Sequence, residues 1–166
     1  MALLALSGCG STHGASDAGG GTGGNADGGN LSGEVDLGVP GGPDGLDFMP
    51  MQDGDVLRLE TFGQGGVHVL LGVRCIGFGS RAFVSVTLTN SNTGTQLVAP
   101  APARPQLLFC DGDACDLVPI TVMAGGLTPP GAERDGLPIQ IFAEVHNAAG
   151  VTGSATKTAL LSTADL

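Results

Sequence analysis

The stretch Val67-His68-Val69-Leu70-Leu71-Gly72-Val73-Arg74-Cys75 decides the fold. Val67, Val69, Leu71, Val73 and Cys75 recur at every second position, and His68 and Arg74 fall between them. Successive side chains of a strand point to opposite faces, so this spacing predicts a strand with one face in a core and with His68 and Arg74 facing outward. Residues 83–89 read the same way, with Val84, Val86 and Leu88 inward and Ser85 and Thr87 outward. Residues 139–146 bury Ile139, Ile141, Ala143 and Val145 and turn His146 outward. Further strands are expected at 56–61, 95–98, 106–110, 117–122 and 154–161. Asn90-Ser91-Asn92-Thr93-Gly94 and Asn147-Ala148-Ala149-Gly150 supply the Asn and Gly that tight turns need. Short strands with regular turn signals, and no helical stripe, predict an all-β protein built as an antiparallel β-sandwich.

Glycine marks the expected limit of this unit. From Gly10 to Gly45 there are 14 Gly in 36 positions, mixed with Ser, Thr, Asn and Asp, and all six Phe lie from Phe48 onward. Such a stretch buries too little apolar surface to offset its ordering entropy. Residues 10–45 are therefore expected to be a disordered tether and residues 46–166 the β-sandwich domain. A Gly-rich coil of that length averages about 33 Å end to end. The G-x-G-x-x-G at Gly19, Gly21 and Gly24 follows no strand and opens no helix, so it predicts no nucleotide site.

The first nine residues carry a different signal. Leu4-Ala5-Leu6-Ser7-Gly8-Cys9 runs from apolar to small residues and ends on a thiol. Leu6-Ser7-Gly8-Cys9 resembles the lipobox of bacterial lipoproteins, which implies that residues 1–9 are a signal segment and that Cys9 is lipidated. The absence of Lys or Arg before Arg58 implies a signal that starts further upstream. Gly10 follows the Cys where the family's inner-membrane retention signal has Asp, so the resemblance implies an outer-membrane protein anchored through acylated Cys9. Two further stretches point the same way. The strand, Asn-x-x-Gly, strand arrangement over 139–161 resembles the last hairpin of bacterial immunoglobulin-like domains. Gly63-Gln64-Gly65-Gly66-Val67-His68-Val69 followed by Gly72-Val73-Arg74 is similar to small lipoproteins of GC-rich Gram-negative bacteria. The core Trp and the tyrosine corner of antibody-type domains are absent, because the chain contains no Trp or Tyr.

Charge narrows the partners. The formal charge is −10, from 16 acidic and 6 basic residues, and the basic ones are scattered singly. Phosphate backbones are bound by clustered basic faces, so nucleic acid is excluded as an expected partner. The membrane, through the acyl group, and an envelope protein are the expected ones.

An exported chain permits disulfides. Cys110-Asp111-Gly112-Asp113-Ala114-Cys115 places two thiols around a short acidic turn, and a chain reversal there brings their Cα atoms to the ~5.5 Å a bridge needs. Cys110 and Cys115 are thus expected to be bridged and Cys75 to be a buried thiol. A competing pairing of Cys75 with Cys110 or Cys115 across the sandwich stays open at this point. Asp111, Asp113 and Asp116 offer hard oxygens, but their spacing lacks the further glutamate of an EF-hand loop, and no His neighbours Cys110 or Cys115. No metal and no cofactor are expected.

The sequence holds no G-x-S-x-G elbow and no H-E-x-x-H, and its one lysine, Lys157, belongs to no Walker A motif. The reading is a lipid-anchored accessory or binding protein of the cell envelope without catalytic activity. The alternatives are an envelope hydrolase with a loop-built site, marked by His68 or His146 beside a carboxylate, and a purely structural surface protein.

Overall fold

The computed structural model describes residues 32–61, 67–97, 104–123 and 134–163. Among the described residues eleven strands follow one another in chain order: β1 (Glu34–Gly41), β2 (Asp47–Pro50), β3 (Asp55–Arg58), β4 (Glu60–Thr61), β5 (Val67–Ile76), β6 (Arg81–Asn90), β7 (Arg104–Leu107), β8 (Phe109–Asp111), β9 (Ala114–Met123), β10 (Pro138–His146) and β11 (Thr152–Ser162). One sheet has the order β2-β1-β5-β9-β8, with β4 also paired to β5, and the other has the order β3-β11-β10-β6-β7. Among these eleven strands every pairing is antiparallel except that of β3 with β11.

The two sheets pack face to face as an all-β sandwich because their alternating apolar rows meet. From the first sheet come Leu37, Val69, Leu71, Val73, Cys75, Cys115 and Val122; from the second come Ala82, Leu88, Ile139, Ile141, Ala143, Val145, Ala159 and Leu161, all buried in one cluster. The period-two readings of residues 67–75, 83–89 and 139–146 correspond to β5, β6 and β10.

Two expected strands are each cut in two by a buried leucine. The stretch 56–61 divides at Leu59: β3 pairs with β11 in the second sheet, β4 pairs with β5 in the first, and the Leu59 N–H donates to the Ser162 carbonyl at 2.8 Å. The stretch 106–110 divides at Leu108, where β7 ends in the second sheet, β8 begins in the first, and the Leu108 N–H donates to the Ser80 carbonyl at 3.0 Å. At each point the leucine side chain enters the core while the chain crosses from one sheet to the other. The strand expected at 95–98 is only a bridge of Gln96 to Thr89, with Val98 outside the described residues.

The expected tether boundary is corrected by β1. Glu34–Gly41 lies inside the first sheet, with Val35, Leu37 and Gly38 opposite Cys75, Val73 and Gly72 of β5, and Leu37 fully buried. Residues 32–45 therefore belong to the folded unit, since Ser32 also bridges Thr152 and the Gly33 N–H donates to the Thr152 carbonyl at 2.9 Å. The physical reason is that Val35, Leu37 and Val39 alternate as a strand requires, a local pattern that the surrounding glycines dilute in the composition. The rest of the expected tether, residues 10–31, and the signal segment 1–9 lie outside the described residues.

Gly38 and Gly72 are opposite one another on β1 and β5, and the ring of Phe48 from β2 lies over them. The same ring is 4.5 Å from the Arg74 guanidinium, a cation–π contact. Opposite Gly72 the β5–β9 register shifts, so that Val118 also reaches this notch.

Candidate functional site

The terminal strands on one side of the sandwich, β7 and β8, carry the most exposed aromatic and a large exposed aliphatic side chain of the described residues. Leu107 is 64% exposed and Phe109 is 76% exposed. They flank the Leu108 crossover. Since Leu108 points into the core, alternation turns its two neighbours outward, Leu107 on the second sheet and Phe109 on the first. Each strand ends its sheet, so its outer backbone groups have no neighbouring strand among the described residues.

Beside this edge stands the Cys110–Cys115 disulfide, with a Cα–Cα separation of 3.9 Å. It joins opposite residues of β8 and β9 across a hairpin whose turn contains Gly112 at φ +63°. The expectation of this pair is met, and Cys75 is a buried free thiol. The competing pairing is relocated: Cys75 and Cys115 are register partners on adjacent strands of one sheet, not across the sandwich. Burial pushes the Cys75 thiol up to about 12, with the Asp116 carboxylate adding to the effect. Raised above its unfolded value, this group contributes stability below about pH 9 that is lost as pH rises toward 12, by up to about 1.4 kcal/mol per pH unit. Urea midpoints at pH 8 and pH 10.5 should show a decline in the wild type that is smaller in Cys75→Ala; equal declines would assign it to other groups.

The three aspartates expected to crowd one loop are separated. Asp111 and Asp113 are exposed at the β8–β9 turn, whereas Asp116 lies on β9 with its carboxylate in the fork of Arg74, Nε to Oδ1 and Nη2 to Oδ2 both at 2.8 Å. That hydrogen bond raises the pKa of Arg74. The row continues on the other side of Arg74 to Asp36 of β1, which Lys157 approaches at 3.8 Å. Among the described residues no cluster of three or more His, Cys, Asp or Glu is arranged to hold a metal ion.

His68 departs from its expected exposure. It lies on the outward register of β5 yet is only 2% exposed; β4 pairs alongside, and Glu60 Oε2 stands 3.5 Å from His68 Nε2. His146 does face outward, its ring stacked on Phe83 of β6 with centroids 4.8 Å apart. The lipidation residue Cys9 lies outside the described residues.

One residue that sequence reasoning did not single out is Arg134. It is buried, neither Nη1 nor Nη2 has a hydrogen-bond partner among the described residues, and desolvation lowers its pKa. In sequence Arg134 stands between Glu133 and Asp135 in a Gly- and Pro-rich stretch, a setting that reads as a solvated turn and carries no local sign of burial. No protein-family model matches the chain, and no curated protein and no solved structure matches it.

Proposed function

We propose that this is a non-catalytic binding module of the cell envelope, lipid-anchored through Cys9 at the outer membrane, which takes an extended segment of a partner protein on its β7–β8 edge. The observation that carries the reading is the exposure of Leu107 and Phe109 on two strands that both end their sheets. An incoming strand gains main-chain hydrogen bonds from such an edge and specificity from alternate side chains. The exposed Asp111 and Asp113 next to Phe109, together with the net charge of −10, suit a segment that mixes apolar and basic residues. With no Trp or Tyr in the chain, the interface lacks the residues that dominate tight binding, so the association is weak.

Strand order supports an immunoglobulin-like form of the sandwich. The runs β1-β5-β9-β8 and β11-β10-β6 correspond in order to the ABED and GFC sheets of that architecture.

The test is retention of envelope proteins by the immobilised full chain. Phe109→Lys with Leu107→Lys should reduce retention by about tenfold or more while leaving the thermal midpoint unchanged, since both side chains are exposed. Retention that is unaffected by the pair would remove this edge from consideration. Labelled fatty acid should enter the wild type, expressed behind a complete signal, and not Cys9→Ser; equal labelling of both would remove the anchor. The hydrolase reading draws on the His68–Glu60 pair. Turnover in a broad hydrolase screen that disappears in His68→Ala would put it in place of the binding module.

A further inference from the structure

Cys75, Cys115 and Cys110 occupy one register row across β5, β9 and β8. Register partners share a face, so all three sulfurs lie on the inner side of the first sheet, with Cys75 and Cys115 buried and Cys110 exposed at the edge. At 3.9 Å between Cα atoms, Cys110 and Cys115 form the close, non-hydrogen-bonded type of antiparallel pair. A strand residue directs its N–H and C=O to one side only, so those of Cys115 point toward β5. That makes Cys75–Cys115 the wide, hydrogen-bonded type of pair, with Cα atoms about 5.5 Å apart. This spacing is the commonest one for a disulfide, about 5.5–6 Å.

We propose that Cys115 is a shared partner and that the bridge exchanges between Cys110–Cys115 and Cys75–Cys115, making Cys110 a releasable thiol on the β8 edge. In the exchange Cys75 gives its proton to water, and its thiolate attacks Cys115 Sγ. The Cys75–Cys115 bond forms as the Cys110–Cys115 bond breaks, and Cys110 leaves as a thiolate that takes up a proton. One disulfide and one thiol stand on each side of the step, so no oxidant or reductant enters it. The buried thiol is mostly protonated, and Asp116 is the charged group that acts on it, which sets the exchange on the slow scale of minutes to hours. The released Cys110 stands one residue from Phe109, where a soft electrophile or a disulfide-bearing molecule has access. The inference rests on the register alone and not on the binding role of the edge.

The experiment is alkylation trapping. Oxidised, folded full chain is held at pH 8 with excess iodoacetamide, quenched in acid over several hours, and mapped by non-reducing pepsin digestion and mass spectrometry. The expected product carries the label on Cys110 and a Cys75–Cys115 crosslinked peptide. In Cys75→Ala, labelling of Cys110 should be slower by about tenfold or more, because the attacking thiol is gone. A Cys110–Cys115 crosslink that persists without label, a label on Cys75, or equal labelling of Cys110 in both proteins would each overturn the proposal. If Cys75→Ala does not fold, the crosslink map of the wild type decides alone.

Discussion

Leu59→Ala is expected to lower the unfolding free energy by about 2–5 kcal/mol, the range for truncating a fully buried leucine. Leu59 is 0% exposed and sits where the chain leaves the second sheet for the first. Its position in the range should be high, because the cost of a cavity depends on how far its walls can collapse. Here they cannot move far: Arg58 is held in register with Ser162 on β11, Glu60 with His68 on β5, and the Leu59 N–H itself is bonded to Ser162. For a domain whose whole stability is about 5–15 kcal/mol, that is a large share. Urea unfolding followed by circular dichroism measures it. Val56→Ala, on β3 just before the crossover but 61% exposed, should stay within about 0.5 kcal/mol of wild type. Equal effects at the two positions would mean that the crossover does not anchor the sandwich.

The second large effect belongs to Gly38→Ala, expected to cost about 3 kcal/mol. A Cβ at Gly38 would stand 2.4 Å from the Met49 carbonyl oxygen and 2.6 Å from the Phe48 ring. The oxygen is backbone and cannot turn aside, and the ring can withdraw only by giving up its seat over Gly72 and its contact with Arg74. Gly72→Ala provides the comparison, since its nearest atoms are side-chain carbons at 3.0 and 3.1 Å. Those can yield by a few tenths of an ångström, and the unfolded chain loses entropy worth about 0.4–1 kcal/mol in the opposite direction. Thermal unfolding should therefore rank Gly38→Ala well below Gly72→Ala. A reversed order would show that the ring, and not the β2 backbone, sets the limit at this notch.

The parts of the fold that were legible in the sequence are those where an apolar row runs unbroken on one face, as in β5, β6 and β10. Two kinds of information were not local enough to read. In 56–61 and 106–110 the residues suit a strand throughout, and nothing within either segment records that Leu59 and Leu108 mark a change of neighbour, because pairing is decided by β11, β5, β6 and β9. In β1 the alternation of Val35, Leu37 and Val39 was present, but Gly33, Gly38, Gly41 and Gly42 lowered the apolar content of any window around it.

The candidate site divides in the same way. The Cys110–Cys115 bridge was legible because five positions of separation around a Gly-Asp turn bring the thiols together by local geometry. The register of Cys75 with Cys115 was not, being a relation between strands far apart in the chain. The outward register of His68 was legible, but its burial and its pairing beside Glu60 of β4 are relations to other segments, which periodicity within β5 does not reveal.

The parallel pairing of β3 with β11 bears on how the protein comes into being. Val56 is made well before Leu160, and among the described residues the second sheet has no neighbour for β3 until residues 159–162 have left the ribosome. Contacts of such long sequence separation also make for slow folding once the chain is free. Until β11 is available, a nascent chain of this design carries β3 as an unpaired edge, the kind of exposed strand that invites pairing with another chain.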